Sequence, residues 1–412
     1  MDISNIERLR RLILTSIYVL GVLGIVGSGS GGGGGDDCSG FNATVDCVVI
    51  PPPPLASPSG FNATVSSIAP ALDGSDDVYV GGVFTSYKNS AVSRIARLNN
   101  DGSLDTGFIT GTGFDARTRT VSPANNSSGD VYVGGSFTSY NGTAVGYIVR
   151  LNLDGSLDTV FDTGTGFSST VNIIVPATDG SGDVYVGGSF TSYNGTAFGS
   201  GLVRLNDDGS LDLGFSTGSG WGENSITLTT DGSGDVYVAK SSGPGIARLN
   251  NDGSIDAGFN TGLTGFNDEV RAIAAATDGS GDVYAAGFFS DYNGTATNGL
   301  ARLNSDGSLE AGFATDAGFV GWGAFITPAI DGSGDIYVDR NIVGDIVRLN
   351  DDGSIDTGFD LGFIGFNASP NSAALATDGS GDIYVGGGFT SFNLFSTAAR
   401  MSRLTAGGAF VR

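Results

Sequence analysis

The sequence predicts an all-β protein assembled from seven copies of one small antiparallel unit. Three observations carry this prediction. A short arginine motif, RLN or RLT, recurs at intervals of about fifty residues. Glycine residues and Asp-Gly pairs separate short runs rich in valine, isoleucine and tyrosine. After residue 40, hardly any segment has the 3.6-residue period of an amphipathic helix.

The arginine of this motif numbers the units from 1 to 7. Successive arginines stand 44 to 55 residues apart, which is typical of one supersecondary unit repeated and stacked along the chain. The seven positions are Arg97, Arg150, Arg204, Arg248, Arg302, Arg348 and Arg403.

Four pieces follow one another in each unit. An apolar stretch such as VNIIVPA at Val171 leads through an Asp-Gly turn to VYVGG. A second connection leads to ARLN or VRLN, and another Asp-Gly turn leads to SLDTGF. Alternating or β-branched apolar residues indicate a strand in each piece, and glycine and aspartate suit the tight turns between them. The sequence therefore predicts four short antiparallel strands per unit.

Seven such units over residues 59–412 predict a seven-bladed β-propeller of four-stranded antiparallel blades. The strings DGSGDVYVGGSFTSYNGTA and VRLNDDGSLDLGF resemble the bacterial delta-60 repeat, a family understood to form β-propellers. The resemblance extends over all seven units. It implies the fold and a secreted or surface setting in bacteria. It implies no activity, so no functional residues are carried over from the family.

Residues 1–28 have the layout of a secretory signal peptide. Three arginines precede the apolar stretch Leu12–Val26, and small residues follow. The alternative is an uncleaved N-terminal membrane anchor, although the stretch is short for a bilayer that needs about 20 residues. Cleavage predicts a protein that is secreted or held at the bacterial cell envelope.

Residues 29–58 are predicted to be a tether rich in glycine and proline. In an oxidising compartment Cys38 and Cys47 can close a short disulfide loop. Phe41–Ile50 has enough β-branched residues for one strand. Unit 7 ends in RLTAGGAFVR where the other units continue with DGSLDTGF, which predicts a degraded outer strand, so we expect Phe41–Ile50 to add there and join the two ends of the ring.

The charge and the residue types exclude several classes of function. Forty-three acidic against nineteen basic residues give a net charge of −24, which repels nucleic acid and anionic membrane surfaces. Apart from the N-terminal segment, no membrane contact is predicted. The absence of histidine excludes Ser-His-Asp catalysis and histidine-bound zinc. No cofactor is expected.

The Asp-Gly turns raise the question of a calcium site. The segment from Asn206 to Asp212 has oxygen ligands at spacings typical of a calcium loop. However, Arg204 stands where the first aspartate ligand belongs. We therefore predict that Arg204 pairs with Asp212 or with the turn carbonyls, and we predict no metal site.

The repeat predicts two faces of different chemistry. Connections in an up-and-down blade alternate between faces, so the two Asp-Gly turns of each unit should share one face. The opposite face should receive the Tyr-Asn-Gly hairpin tips and the connections between units. In units 4 and 6 the hairpin is shortened to AKSSGPG and DRNIVGD, which predicts a recess around units 4 to 6.

The candidate ligand-binding residues lie around that recess. Aromatic side chains with a few carboxylates and an arginine suit a saccharide or a peptide. For the tyrosines the alternative is a packed hairpin residue. The tyrosine of each DVYV and the phenylalanine of each TGF, such as Phe108, are predicted to pack inside the units. The candidates are Trp221, Glu223, Asp268, Glu269, Arg271, Trp322, Tyr193 and Tyr292.

The predicted function is a secreted or surface-displayed binding module for an extracellular glycan or protein. One alternative is an enzyme that acts on glycosides with paired carboxylates, for which Glu223, Asp268 and Glu269 are the candidates. The other alternative is a structural surface protein that binds nothing.

Overall fold

The computed structural model describes residues 60–126, 128–198, 201–218, 221–240, 245–259, 265–313, 319, 325–340, 344–362, 365–393 and 400–411. All of them belong to the second of two compact units, Ser57–Arg412; the first is Met1–Ala56. The predicted signal peptide, the tether, the Cys38–Cys47 disulfide and the strand at Phe41–Ile50 lie outside the described residues. Within the described ranges no helix is long and apolar enough to cross a membrane.

The described part of the chain folds into three-stranded antiparallel sheets, one for each unit. In every sheet the second strand lies in the middle. The first strands are β1 (Val65–Pro70), β6 (Thr118–Pro123), β11 (Val171–Pro176), β16 (Trp221–Leu228), β19 (Val270–Ala275), β24 (Ile326–Pro328) and β27 (Pro370–Leu375). The middle strands are β2 (Val78–Gly82), β7 (Val131–Gly135), β12 (Val184–Gly188), β17 (Val236–Lys240), β20 (Val283–Gly287), β25 (Ile336–Asp339) and β28 (Ile383–Gly387). The third strands are β5 (Ile95–Leu98), β10 (Ile148–Leu151), β15 (Leu202–Leu205), β18 (Ile246–Leu249), β23 (Leu300–Leu303), β26 (Ile346–Leu349) and β29 (Met401–Leu404).

Short hairpins join the second and third strands in units 1, 2, 3 and 5. They are β3 (Ser86–Tyr87) with β4 (Ser90–Ala91), β8 (Ser139–Tyr140) with β9 (Thr143–Ala144), β13 (Ser192–Tyr193) with β14 (Thr196–Ala197), and β21 (Asp291–Tyr292) with β22 (Thr295–Ala296). Their two-residue tips carry Asn-Gly or Lys-Asn with positive φ, which suits a tight hairpin turn.

The first strands of neighbouring sheets contact one another all the way round. Each first strand lies against the next, and the last, β27, lies against β1. At that closing contact the Ile68 amide donates to the Ser372 hydroxyl over 3.1 Å. The Asn371 side-chain amide donates to the Val65 carbonyl over 3.1 Å. The first strands are therefore the inner strands of a closed arrangement.

The first glycine of the VYVGG motif permits this close packing. A Cβ atom added at Gly134 would lie 2.5 Å from Cγ1 of Val171, on the inner strand of the next unit. A Cβ atom added at Gly386 would lie 2.5 Å from Cγ1 of Val65. Real carbon atoms do not approach so closely, so glycine at this position lets adjacent sheets meet.

The predicted fourth strand is reduced to one residue pair in each unit. In unit 1 it is the single antiparallel bridge between Leu98 and Leu104. The turn from Asn99 to Ser103 closes directly after β5, and the Asp105 carboxylate then accepts the Gly107 amide over 2.7 Å. This local Asx turn bends the chain away from the ladder, so the expectation of four-stranded blades is corrected to three strands and a bridge.

Unit 7 has the same bridge as the others, between Leu404 and Phe410. The premise that its outer strand is degraded, on which the predicted addition of Phe41–Ile50 was based, is therefore wrong. Phenylalanine can replace leucine at this position because the bridge is made by main-chain hydrogen bonds, such as that from the Val411 amide to the Arg403 carbonyl over 2.9 Å.

The core lies between neighbouring sheets, and the repeated aromatic residues fill it. Tyr79 is fully buried, and its ring lies edge-on against that of Phe108 with centroids 5.5 Å apart. Burial raises the pKa of Tyr79 to about 12. The prediction that the DVYV tyrosines and the TGF phenylalanines pack inside the units is confirmed.

The hairpins fold back along the outer edge instead of pointing to the opposite face. The Tyr140 hydroxyl donates to the Gly155 carbonyl, in the second Asp-Gly turn of the same unit, over 2.5 Å. Tyr140 also forms a bridge with Phe114, in the segment that enters the unit. That pairing holds the hairpin against the entering segment, so the expectation that the tips lie with the connections between units is confirmed. The expectation that they lie on the face opposite the Asp-Gly turns is wrong, because Tyr140 reaches one of those turns.

Candidate functional site

At one end of each sheet, the arginine of the repeated motif forms ion pairs with aspartates. In unit 1, Arg97 contacts Asp73 at 2.6 Å and Asp77 at 3.0 Å in the first turn, and Asp105 at 3.4 Å beyond the second turn. Arg97 is only 4% exposed. One guanidinium therefore joins both Asp-Gly turns, and the prediction that the two turns share a face is confirmed.

The predicted pairing of Arg204 is confirmed. Its Nε atom donates to the Asp212 carboxylate over 2.6 Å, and a second nitrogen lies 2.6 Å from the same oxygen. The arginine thus supplies the positive charge that a metal ion would bring to this turn. Within the described ranges, no group of three or more acidic or cysteine side chains is arranged to hold a metal ion.

The opposite end of the inner strands carries a series of β-bulges. The strand pairing skips one inner-strand residue in five units, opposite the last two residues of the middle strand, which are Gly-Gly in units 1, 2, 3 and 7 and Ala-Gly in unit 5. In unit 4 the irregular stretch is longer and lies between Trp221 and Ile226. A bulge re-aims the side chain of the extra residue and is common next to functional sites. The five bulged residues are Ser66, Arg119, Asn172, Arg271 and Asn371.

All five bulged side chains are polar, and each is exposed or half-buried. They are serine, arginine or asparagine, and each follows a buried residue of the inner strand. We name the bulge surface for these residues and two charged neighbours that precede a bulge: Ser66, Arg119, Asn172, Arg271, Asn371, Arg117 and Glu269.

Two arginines of unit 2 dominate the charge of the bulge surface. Arg117 donates from Nε to the Ser66 hydroxyl over 3.2 Å, and Arg119 donates from Nε to the Ser136 hydroxyl over 3.3 Å. Partial burial, together with the nearby positive charge of Arg119, lowers the pKa of Arg117. Among the described residues neither arginine has an ion pair with a carboxylate, unlike the arginine of every RLN motif.

Unit 5 contributes a mixed pair of charges to the bulge surface. The Arg271 Nε atom lies 3.6 Å from a carboxylate oxygen of Glu269, and its guanidinium lies 4.7 Å from the ring centre of Phe288. The Asp268 carboxylate accepts the Glu269 amide over 2.7 Å. Three predicted site residues therefore adjoin one another at the start of β19.

The structure places the other candidates in three ways. Trp221 and Glu223 belong to β16, which contacts β19, so the backbone brings them to the neighbourhood of Arg271; their side chains are not described. Trp322 lies outside the described residues. Tyr193 and Tyr292 are 1% and 2% exposed and donate to the carbonyls of Gly209 and Gly307 over 2.5 Å.

The two hairpin tyrosines are therefore enclosed by their own units. Burial raises the pKa of Tyr292 to about 12 and raises that of Tyr193 as well. Neither ring can reach a ligand without rearrangement of the hairpin. The predicted recess around units 4 to 6 includes residues 241–244 and 341–343 in its walls, which lie outside the described residues, so it stays a prediction.

The sequence interpretation overlooked Arg117 and Arg119. Both stand in GFDARTRT, the connection between units 1 and 2 at residues 113–120, but nothing in their spacing marks a site. A usable signal was present in the repeat itself. When units 1, 2, 3, 5 and 7 are compared position by position, the residue after the first buried inner-strand residue is always polar.

The repeated units match a known protein family. Six segments match a family described as "Domain of unknown function (DUF5122) beta-propeller": residues 75–108, 127–161, 180–215, 229–259, 279–313 and 331–359. These segments are β-propeller repeats. The resemblance to a propeller-forming repeat family of unknown function is thereby confirmed. No curated protein matches the chain.

The chain is similar to solved structures at low sequence identity. The β-propeller domain of Cps50 (Swd1) from Myceliophteria thermophila is 8% identical with a TM-score of 0.55, over 83% of this chain and 96% of that one. An ancestral GH74 enzyme is 15% identical with a TM-score of 0.51, over 85% of this chain. The propeller spans 46% of that enzyme's length. A streptogramin B lyase is 16% identical with a TM-score of 0.47, over 80% and 92% of the two chains.

Proposed function

We propose that the chain is a secreted or cell-surface, seven-bladed β-propeller that acts as a binding module. Its ligand is an extracellular glycan bearing carboxylate groups, and its site is the bulge surface. The observation that carries this proposal is the pair Arg117 and Arg119, which hydrogen-bond to serine hydroxyls and have no carboxylate partner among the described residues.

The electrostatic argument rests on the contrast with the rest of the chain. A net charge of −24 repels an anionic ligand at long range, so recognition needs a local cation cluster. Guanidinium groups bind carboxylates through paired, charge-assisted hydrogen bonds, which are stronger than neutral ones. Arg117 and Arg119 keep donors for such a ligand because each uses only Nε in its bond to serine.

The other side chains of the bulge surface favour a saccharide. Ser66, Asn172 and Asn371 offer hydroxyl and amide groups, which both donate and accept hydrogen bonds as sugar hydroxyls require. Arg271 and Glu269 extend the polar character to unit 5. A protein ligand would call for an exposed apolar centre, and the described bulge surface is polar throughout.

An array of glycans and peptides tests this proposal on the full chain. Acidic glycans should retain the wild-type protein, and neutral glycans of the same length and the peptides should not. An Arg119→Gln variant should lose most of the signal, whereas Lys88→Gln, which removes a charge from the outer hairpin, should keep it. Retention by peptides alone would favour a protein ligand, and retention by nothing would favour a structural role.

The enzyme alternative is tested on the same ligands. Release of reducing sugar that disappears in Glu269→Gln or Glu223→Gln would replace the binding module by a carboxylate-dependent enzyme. Binding without turnover supports the proposal.

A further inference from the structure

In the described part of the chain, the arginines that form no ion pair all belong to three adjacent units, 7, 1 and 2. Every other described arginine lies within 3.6 Å of a carboxylate oxygen. Units 7 and 1 are neighbours because β27 lies against β1. Positive charge is therefore concentrated on one side of the ring. The four arginines are Arg94, Arg117, Arg119 and Arg400.

The acidic side chains of these three units are engaged elsewhere. Those that the structure describes stand in or beside the Asp-Gly turns, except for Asp115. The Asp115 carboxylate accepts the Thr138 and Ser139 amides over 2.8 and 3.0 Å. Burial alone would raise the pKa of Asp115, but the hydrogen bonds from Thr138 and Ser139 lower it. In unit 5, by contrast, Arg271 lies 3.6 Å from Glu269.

Two of the four arginines have a main-chain conformation that disfavours a large side chain. Arg94 has a φ of 68° and Arg400 a φ of 74°, in the left-handed region. Tyr147 stands at the equivalent position of unit 2, with a φ of 67°. In unit 5 this position is Gly299, with a φ of 83°. Units 7, 1 and 2 thus keep a strained residue where glycine would fit without strain, and such strain is common at functional sites.

The strained residues lie at the end of the sheet that carries the bulges. The Arg94 carbonyl accepts the Gly82 amide over 3.1 Å, and Gly82 pairs with Val65, directly before the bulge of unit 1. The Tyr147 and Arg400 carbonyls accept the equivalent amides of units 2 and 7 over 3.1 and 2.9 Å. The middle strand therefore separates each strained residue from a bulged one. We name the outer row for the strained residues Arg400, Arg94 and Tyr147.

The outer row adds charge and an aromatic ring to the bulge surface. The Arg94 guanidinium donates to the Phe114 carbonyl, three residues before Arg117. The Arg400 guanidinium donates to a carbonyl of its own unit. Because both acceptors are neutral, the charge of each arginine stays uncompensated in these contacts. Tyr147 is half-buried and packs against the apolar core between units 2 and 3.

We propose that the outer row is the second wall of the glycan site, which makes the site specific for an acidic oligosaccharide lying across units 2, 1 and 7. This inference rests on the proposed function. Arg117 and Arg119 bind carboxylates at one end of the ligand, Arg94 binds the middle, and Arg400 binds the other end. Tyr147 offers its ring to the apolar face of a sugar beside the two arginines of unit 2.

The spacing of the units favours a ligand of several sugar residues. Stacked sheets lie about 10 Å apart, so corresponding residues of units 2 and 7 are on the order of 20 Å apart. A single sugar residue cannot contact both ends of such a site, whereas an oligosaccharide with a carboxylate on each residue can. Length of the ligand should therefore add to its affinity.

Isothermal titration calorimetry with digalacturonate and hexagalacturonate tests the proposal on the full chain. The wild type should bind the hexamer at least about tenfold more tightly than the dimer. Arg94→Gly and Arg400→Gly should each weaken binding of the hexamer at least about fivefold and leave binding of the dimer unchanged. Arg119→Gln should weaken binding of both lengths.

Thermal unfolding separates this role from a structural one. Glycine relieves the strain at a left-handed position, so the Tm of Arg94→Gly should not fall. Lys88→Gly is the matched control, because Lys88 is also a cation at positive φ, 44°, and its ammonium group contacts the Gly102 carbonyl at the outer hairpin. This control should bind both lengths like the wild type.

The possible failures are distinguishable. Equal affinity of the wild type for the two lengths would overturn the proposal, as would wild-type binding of the hexamer by Arg94→Gly and Arg400→Gly. A lowered Tm of Arg94→Gly with equal losses for both lengths would also overturn it, by making the arginine structural. In these cases weakened binding by Arg119→Gln leaves the proposed function standing. If Arg119→Gln binds both lengths like the wild type, the proposed function fails and this inference fails with it.

Discussion

Arg97 and Asp77 form a buried ion pair, with Nε of the arginine 3.0 Å from Oδ2 of the aspartate. The arginine is on β5 and the aspartate directly precedes β2, so the pair ties two strands of one sheet together at the same end. The same arginine reaches Asp73 and Asp105, which makes it the common partner of three carboxylates.

Replacement of Arg97 by methionine tests the importance of this cluster. Arg97→Met leaves the carboxylates of Asp77 and Asp73 without their cation, and breaking such a pair costs about 3–5 kcal/mol in the free energy of unfolding. Arg119→Met, at an exposed position where no described carboxylate forms an ion pair, should change it by less than about 0.5 kcal/mol. Urea unfolding of both variants measures the difference, and equal stabilities would contradict the role of the cluster.

The aspartates of the first turns predict a loss of stability in acid. Burial alone would raise the pKa of Asp231, but hydrogen bonds from Ser233 and Thr229 and the charge of Arg248 lower it to about 2. The pKa values of Asp331 and Asp378 are also lowered to about 2. Because the unfolded chain titrates near 3.8, the stabilisation is complete above about pH 4 and is lost as the pH falls towards 2.

Thermal unfolding between pH 6 and pH 2 checks this expectation. The Tm of the wild type should fall steeply below pH 4. Asp231→Asn should have a lower Tm at pH 6, and the gap to the wild type should narrow between pH 4 and pH 2. Asp268→Asn, at an exposed carboxylate, serves as the control. A gap of constant size would mean that the ionised form of Asp231 does not stabilise the fold.

A methyl group at the sheet interface should be costly. Gly134→Ala places a Cβ atom 2.5 Å from Val171 and 2.9 Å from Ile174, so the inner strand of unit 3 must move. Overpacking of this kind costs about 1–3 kcal/mol. Gly214→Ala is the matched control, because its new Cβ would meet only the Asp212 carboxylate, at 3.1 Å. If both variants unfold at the same urea concentration, the close approach of the sheets is not required.

Local residue chemistry accounts for what the sequence predicted well. The Asp-Gly turns, the buried VYV strands and the Arg204–Asp212 pair depend on neighbours within one unit, and the repeat displays them many times. The lost fourth strand was also local, but it needed the knowledge that the Asp105 carboxylate would capture the Gly107 amide and bend the chain.

Features that depend on contacts between segments that are not adjacent in the repeat were harder to predict. The position of the hairpins depends on the hydrogen bond from Tyr140 to Gly155 at the outer edge. The alternation of residues along a strand does not predict that bond. The bulge at Arg119 arises from the pairing register of β6 with β7. The direction of the Arg119 side chain could therefore not be predicted from its position in the sequence. The closing contact between Ile68 and Ser372 joins unit 1 to unit 7, which are far apart in sequence.

The most direct test of the proposed binding module is the affinity of the chain for an acidic oligosaccharide. Isothermal titration calorimetry with oligogalacturonate should show binding by the wild type that weakens as salt is added, since the contact is between charges. The Arg117→Gln/Arg119→Gln double variant should bind at least about tenfold more weakly, and Lys88→Gln should bind like the wild type. Equal affinities of the wild type and the double variant, or no heat of binding to the wild type, would contradict the account.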